Sequence, residues 1–532
     1  MDLSVKYIHD LIQLDPKLND FLKIKEFNHL QSKPANTFLS SHNSKESQLN
    51  KSYKKLLSEK NNKTYPERLL ERDLDKLLHL VNFPDYYFPI TPLNNYLTET
   101  MSEVSYIDTF YQFTDAQSYK DYMKRLTMIP SICNIMIQGM KQGMKHKMTY
   151  PKRIVLQLIL QLHDCLLSNN LNNKFNHSRK IPFSIRKQFL QSVQKNLVKQ
   201  IQRFVIFLTD EYLQSSRIDI GLGTLTNGKK LYQEIVSSFT FDDYTPQKVH
   251  TIGEKQVDLL MKELQRLQTK CNFQGNYAEF CQMMKDNPKS QFENTHEVLS
   301  YLKKLQHRIY KETFLPNFHD TIQENDMYHI KCVPEVNKHM SAYYQLPDFN
   351  NERKGTFFVN AIDVNRVNKD EMLVLSVHEG IPGHHYEHLF HHRNNQSLYM
   401  RATGYTSYSE GWALYCEGLT QSKNDREEFW RLIYSLHRAL RLLIDTGIHW
   451  YDWSYEKCFL LMKKYLPFTD EMIQDEIYRY IDDPGQALCY TIGSLTFYDL
   501  RDKFLKKNNN IQDYHKFILQ LGPCPLDVLV DE

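Results

Sequence analysis

Apolar residues recur at helical spacing over long stretches of this sequence, and that periodicity constrains the fold more than any other feature. Leu190, Val193, Leu197, Ile201, Phe204 and Leu208 form one stripe, and Val257, Leu260, Leu264 and Leu267 form a second. Each reads as the buried face of a helix. With 17 glycines in 532 residues, well below the roughly 7% usual share, and many strong helix formers, the chain is expected to be mainly α. The clearest β signal is short, "GTFFVN" at 355–360, an aromatic and β-branched run that starts at glycine. A chain of this length can form one large helical body or two subdomains flanking a central cleft. Residues 1–70 are read as a polar N-terminal segment, lysine-rich over 31–64 and solvated, and 71–532 as the helical domain. Breaks are expected at the polar stretches 168–178, 286–295 and 506–513.

Lys and Arg number 66 against 63 Asp and Glu, a formal charge of +3, which is too near balance for an electrostatic nucleic-acid binder. No stretch approaches the roughly 18 apolar residues of a membrane span, and the acidic opening "MDLSVKYIHDLIQLDPKLNDF" does not read as a secretory signal. Nine cysteines are scattered without a CxxC pair, and Cys165, Cys416 and Cys489 sit among apolar residues as core side chains do. That pattern suits a reducing compartment, so a soluble, cytoplasmic protein is expected. Its oligomeric state is left open.

The chemistry concentrates at "HEGIPGHH", residues 378–385. A zinc-binding HExxH places two histidines four residues apart on one helix face, with the glutamate beside the first handling a proton. Here Pro382 stands where the second histidine belongs. On an unbroken helix His384 would be rotated about 120° from His378 and lie about 9 Å further along the axis, and His385 would share the face about 10.5 Å away. Neither could join His378 at one ion without a break. Pro382 supplies one, because it lacks an amide hydrogen and its ring presses on the carbonyl of His378, and Gly383 permits backbone angles other residues avoid. The helix leading in is expected to be capped by Asn368, with Glu371 at the capping-box position and Met372, Val374 and Leu375 on its apolar face. A third ligand is offered by "YTSYSEGWALYCEGL", 405–419, where Glu410 opens a helix capped by Ser407 and Glu417 shares its face two turns on. Two histidines and one carboxylate leave a coordination position for water, as a catalytic zinc site requires. Arg441, Asp445 and His449 recur every four residues and face one way, either as a structural ion-pair network or as groups that bind a substrate carboxylate and orient the site.

At these residues the chain resembles the domain of unknown function family 885, whose members look like relatives of zinc peptidases of the HExxH-plus-glutamate class. The resemblance is carried by "HEGIPGHH", "YSEGWALYCEGL", "RALRLLIDTGIHW" at 438–450 and "DDPGQALCYTIGSLTFYDLR", with weaker matches over most of 75–505. It implies a helical body like that of thimet oligopeptidase and angiotensin-converting enzyme, with the short β segment as an edge strand that pairs with extended substrate. Their HExGH motif matches Gly383 and His384, which favours His384 over His385, and the ligand spacing favours Glu410 over Glu417. The resemblance also implies that Tyr490 stabilises the oxyanion. The chain departs from the pattern at Leu414, where such peptidases often carry a supporting acid; Glu417, Asp445 or Glu387 would then hold a histidine from behind.

The expected activity is hydrolysis of peptide or related amide bonds in short peptides, with zinc held by His378, His384 and Glu410 and with Glu379 as general base. The alternative is a non-catalytic peptide-binding scaffold that keeps a vestigial site, prompted by the displaced second histidine.

Overall fold

The computed structural model describes residues 2–14, 45–80, 115–127, 129–167, 182–333, 342–347, 354–364, 367–394 and 396–531, and the fold is mainly α. The chain divides into two compact units, Met1–Leu231 with Ile481–Asp483, and Tyr232–Tyr480 with Pro484–Glu532.

In the first unit, helices Leu3–Leu14, Lys45–Ser58 and Tyr65–Leu80 pack on one another. Residues 45–58 are therefore not the solvated segment expected of the lysine-rich stretch. Their inward face is Ser47, Asn50, Tyr53 and Leu57, all buried, and with only two apolar members it gives too weak a stripe to stand out from sequence. Residues 31–44 and the asparagine-rich 168–178 lie outside the described residues. The stripe that begins at Leu190 lies on a continuous helical run with two π-helical segments, Gln194–Val198 and Leu208–Tyr212. Val193, Leu197, Ile201, Phe204 and Leu208 are all buried along it.

The elements that position the candidate site are α1 (Pro246–Lys270), β1 (His329–Cys332), β2 (Ala342–Gln345), β3 (Thr356–Val359), α2 (Met372–Glu379), α3 (His384–Arg393), α4 (Thr406–Glu417), α5 (Asp425–His449), α6 (Asp470–Asp482) and α7 (Cys489–Leu505). Helix α1 starts with Thr245 accepting from the Lys248 amide and Pro246 in the first turn, a strong N-terminal signal. It packs along α5, whose side chains from Leu436 to His449 are buried on every face. A helix enclosed in this way carries polar residues into the interior, here Arg438, Arg441, Asp445 and His449.

The three strands form a sheet in the order β1-β3-β2, with β1 parallel and β2 antiparallel to β3. The "GTFFVN" run is thus the central strand, not the edge strand expected to pair with substrate. Phe357 is 0% and Val359 2% exposed. A short apolar run looks alike whether it is flanked on one side or both, and its partners have no strong alternation of their own. Strand β2 lies beside α2.

Helix α2 begins at Met372 rather than at an Asn368 cap. The Glu371 carboxylate accepts from the Asn368 amide at 3.1 Å, and Asn368 Oδ1 accepts from the Asp370 amide at 2.8 Å, so these residues build a turn ahead of the helix. Burial pushes the Glu371 carboxyl up to about 7. The unfolded carboxyl titrates near 4.3, so between about pH 4.5 and 7 the folded chain holds a proton that the unfolded chain has released. Stability from this group is lost as pH rises through that window. The Glu371→Gln variant is expected to gain melting temperature relative to the parent at pH 8 and to lose that advantage by pH 5. An offset independent of pH in thermal melts would contradict the assignment.

Candidate metal centre

Helix α2 ends at Glu379, residues 380–383 turn with a cis Ile381-Pro382 bond, and α3 begins at His384. The helical break expected from Pro382 is therefore present. Hydrogen bonding resumes across the turn, with the Gly383 amide donating to Val377 O and the His385 amide to Gly380 O, both at 3.1 Å. Gly383 has φ −70°, so it is not needed there for a left-handed backbone. A Cβ at that position would lie 2.0 Å from His378 O and 2.4 Å from Val377 O. The requirement is close approach, as the chain folds back onto the end of α2. Pro382 O accepts from Trp412 Nε1 at 2.9 Å, which ties the turn to α4. As a result the His378 and His384 rings meet with centroids 4.8 Å apart and planes at 86°.

Glu410, on α4, comes between them. Its Oε2 lies 3.3 Å from His378 Nε2 and 3.5 Å from His384 Nε2. One atom from each of the three side chains falls within 4.8 Å of the others, and among the described residues this is the one such cluster of His, Cys, Asp and Glu that could hold a metal ion. Ser407, expected to cap α4, lies inside it and gives its hydroxyl to Phe239 O; the helix begins at Thr406. His385 turns elsewhere. Tyr344 OH donates to its Nδ1 at 2.7 Å, and its Nε2 faces Asp326 O at 2.7 Å. Burial holds this imidazole neutral, down to about 4.

Each clustered imidazole has an acid at its back. His378 Nδ1 is 2.8 Å from Glu417 Oε1, so its ring spans the α4 face between Glu410 and Glu417, two turns apart. His384 Nδ1 is 3.4 Å from Ser409 Oγ and 4.0 Å from Glu387, whose carboxylate also accepts from Ser409 Oγ at 2.7 Å. Burial opposes charge on both histidines, but the carboxylates of Glu410 and Glu417 hold His378 above its ordinary value, and those of Glu387 and Glu410 hold His384 well above it. Burial likewise opposes the Glu410 charge, and the two imidazoles reverse this and hold its carboxyl well below the usual range. The donor set fits a divalent cation. Glu410 Oε2 is buried without a hydrogen-bond partner, and acids behind the Nδ1 atoms leave both Nε2 atoms directed to one point, as in carboxylate-histidine-metal arrangements. Glu417→Gln is expected to weaken zinc binding about 10–100-fold in competition with a chromophoric chelator; unchanged affinity would remove Glu417 from this role.

Tyr490 reaches the cluster because α4 and α7 touch at Gly411 and Gly493, where a Cβ on Gly411 would lie 2.5 Å from the Gly493 Cα. Its hydroxyl donates to Glu410 Oε1 at 3.1 Å and accepts from Arg479 Nη2 at 2.7 Å and Gln486 Nε2 at 3.4 Å. Leu414 packs against Cys489 and Tyr490. Arg441, Asp445 and His449 do not converge on the cluster. The Arg441 guanidinium lies 4.3 Å from the Tyr490 ring centre and donates to Tyr480 OH at 3.2 Å and to Glu476 at 3.0 Å. Asp445 accepts from Tyr232 OH and, at 3.0 Å, from the Gly485 amide, while His449 Nε2 faces Tyr480 O at 2.8 Å. These last two brace the helix interior. Glu379, the half-buried last residue of α2, adjoins His378 directly. Sequence reasoning missed Arg479, Gln486, Ser409 and Arg438, the last 3.6 Å from Glu417. Arg479 stands just ahead of the recognised "DDPGQALCY" segment, the one signal that could have drawn attention to it.

A family model described as "Bacterial protein of unknown function (DUF885)" matches residues 34–532. No curated protein matches the chain. Among solved structures, a predicted lipoprotein from Colwellia psychrerythraea aligns with TM-score 0.85 and 19% identity, covering 99% of this chain and 97% of that one. A predicted lipoprotein of unknown function from Shewanella oneidensis aligns with TM-score 0.75 and 15% identity over 99% and 98% of the two chains. At these identities the likeness is one of fold. A carboxypeptidase from Pyrococcus furiosus aligns at TM-score 0.38 and 12% identity over 94% and 89%, too low for a shared fold. The two lipoprotein descriptions contradict the cytoplasmic location expected from the cysteines. Cys416 and Cys489 are both buried, and a buried thiol packs as a small apolar side chain in any compartment, so scattered cysteines are no guide to redox environment here. The Cys165 side chain lies outside the described residues. No helix among the described residues is long and apolar enough to cross a membrane.

Proposed function

The chain belongs to the DUF885 family of bacterial proteins of unknown function, so membership brings no activity with it, and we propose from the site alone a zinc-dependent hydrolase of peptide or related amide bonds in short peptides. The observation that carries this reading is Glu410 Oε2, buried, without a hydrogen-bond partner and facing two imidazole nitrogens. An orphaned buried acceptor costs about 1–3 kcal/mol, and a cation shared by the three groups offsets that cost. Two imidazoles and one carboxylate suit zinc better than magnesium or calcium, which take oxygen-rich shells. Bound there, zinc supplies Lewis acidity for water and for a substrate carbonyl.

The remaining steps belong to the chain's own side chains. Glu379 takes a proton from the attacking water and passes it to the leaving nitrogen, so the C–N bond breaks to a carboxylate and an amine. Tyr490 turns its hydroxyl from Glu410 to the oxygen that gains charge, and Arg479 and Gln486, donating into the Tyr490 oxygen, make it a stronger donor. Purified protein is expected to carry one zinc per chain and to cleave members of a short-peptide library, with a chelator abolishing cleavage and zinc restoring it. Cleavage at full rate without metal would sink the proposal, and zinc-loaded protein that binds peptides without cutting them would favour a binding scaffold.

A further inference from the structure

We propose that Arg479 receives the C-terminal carboxylate of the substrate, so that the enzyme removes one or two residues from the ends of short peptides; this rests on the hydrolase reading of the metal centre. Arg479 is solvent-exposed, and among the described residues its hydrogen bonds go only to neutral groups, Tyr490 OH at 2.7 Å and Gln486 Oε1 at 2.9 Å. Other arginines of this chain do pair with acids. Arg308 has Glu427 and Arg393 has Asp320 and Asp326. Glu476, three residues before it on the same helix, is already shared by Arg441 at 3.0 Å, His437 at 3.1 Å and Tyr480 at 2.5 Å.

A second observation points the same way. Arg441 is 4% exposed, and its Nη1 is buried with no hydrogen-bond partner. Two guanidiniums thus flank the Tyr490 ring, 4.3 and 5.8 Å from its centre, and Glu476 pairs with the first of them. The planar fork of an arginine matches a carboxylate with two parallel hydrogen bonds. Arg479 also stands at a useful distance. It is two hydrogen bonds from the Glu410 carboxylate, through Tyr490, a reach comparable to one or two residues of extended chain at about 3.3–3.6 Å each. A substrate with its terminal carboxylate on Arg479 therefore presents a bond close to its own end to the metal centre. The carboxylate takes no part in the reaction and leaves on the released residue.

The test reads binding separately from turnover. Zinc-loaded Glu379→Gln protein is titrated calorimetrically with acetylated alanine peptides of two to five residues, as free acids, as C-terminal amides, and as amides whose last residue is glutamate. Free acids are expected to bind at least about tenfold more tightly than amides, as charge-assisted bonds imply. Adding Arg479→Gln should bring the two within about twofold, while Arg479→Lys, which keeps the charge but not the fork, should retain part of the preference. Zinc content and melting temperature identify any variant that has not folded, in which case the lysine variant carries the comparison. Equal or absent binding of acid and amide overturns the proposal, as does a preference that survives Arg479→Gln. Glutamate amides binding as well as free acids would overturn C-terminal removal in favour of an acidic side chain. Zinc-dependent cleavage by the unmodified enzyme with no acid preference would leave the hydrolase reading standing and this one fallen; acid-selective binding with no zinc-dependent cleavage would overturn the hydrolase reading and terminal removal with it, leaving Arg479 as a carboxylate-binding group alone.

Discussion

Glu379→Gln is expected to lower peptide turnover by about 10²–10⁴-fold, the usual contribution of a positioned general base, while the protein still binds one zinc per chain. The expected loss corresponds to about 3–5 kcal/mol of transition-state stabilisation. Glutamine keeps the size of the side chain and its place at the end of α2, next to His378, but cannot take up the proton of water. Metal binding should survive because the proposed ligand atoms are those of His378, His384 and Glu410, the group that could hold the ion. The effect should fall on kcat with KM little changed, since a base acts in the transition state. Steady-state kinetics beside metal analysis decide it: full activity in a zinc-loaded variant removes Glu379 from the mechanism, and loss of zinc would make it a ligand.

The second large effect is a contrast between adjacent histidines. His384→Ala should reduce zinc affinity by well over the roughly 10–100-fold typical of residues behind the ligands, and peptide cleavage should go with it. His385→Ala should keep zinc, because both nitrogens of that ring are engaged with Tyr344 and Asp326. Its cost should appear instead as lower stability, from the loss of two half-buried hydrogen bonds. Competition for zinc with a chelator, run on both variants, separates the two. If His385→Ala loses metal while His384→Ala keeps it, the assignment of ligands is reversed.

These two residues also mark how far the sequence could be read. Helix arithmetic showed that an unbroken α2 could not bring His384 or His385 to His378, and that Pro382 and Gly383 could break it. It could not say which ring turned inward, because that depends on Tyr344, 41 positions from His385, and on the carbonyl of Asp326, 59 positions away. Glu417 was legible as a face-mate of Glu410 from its spacing of seven. Its engagement with His378 Nδ1 in place of an acid at the Leu414 position was not, since it depends on how α2 lies across α4. Ser407 misled because serine before an apolar run is a general capping signal, here overridden by a hydrogen bond to Phe239. The Arg441, Asp445 and His449 row is on one side of α5 as spacing requires, but that side meets different neighbours along its length.

By itself the sequence determined the helical class, the break between the two histidines and the chain order of His, Glu, His and a distant Glu. These follow from local geometry: 3.6 residues per turn, a proline that cannot donate and a stripe that must be covered. The tertiary structure decided which histidine faces Glu410, which acid stands behind it, that β3 is central rather than an edge, and that Tyr490 links Arg479 to Glu410. Those choices depend on contacts between residues far apart in the chain, such as the 80 positions between Tyr490 and Glu410. Packing sets them, through close approaches such as that of Gly411 to Gly493, and no spacing along the chain encodes them.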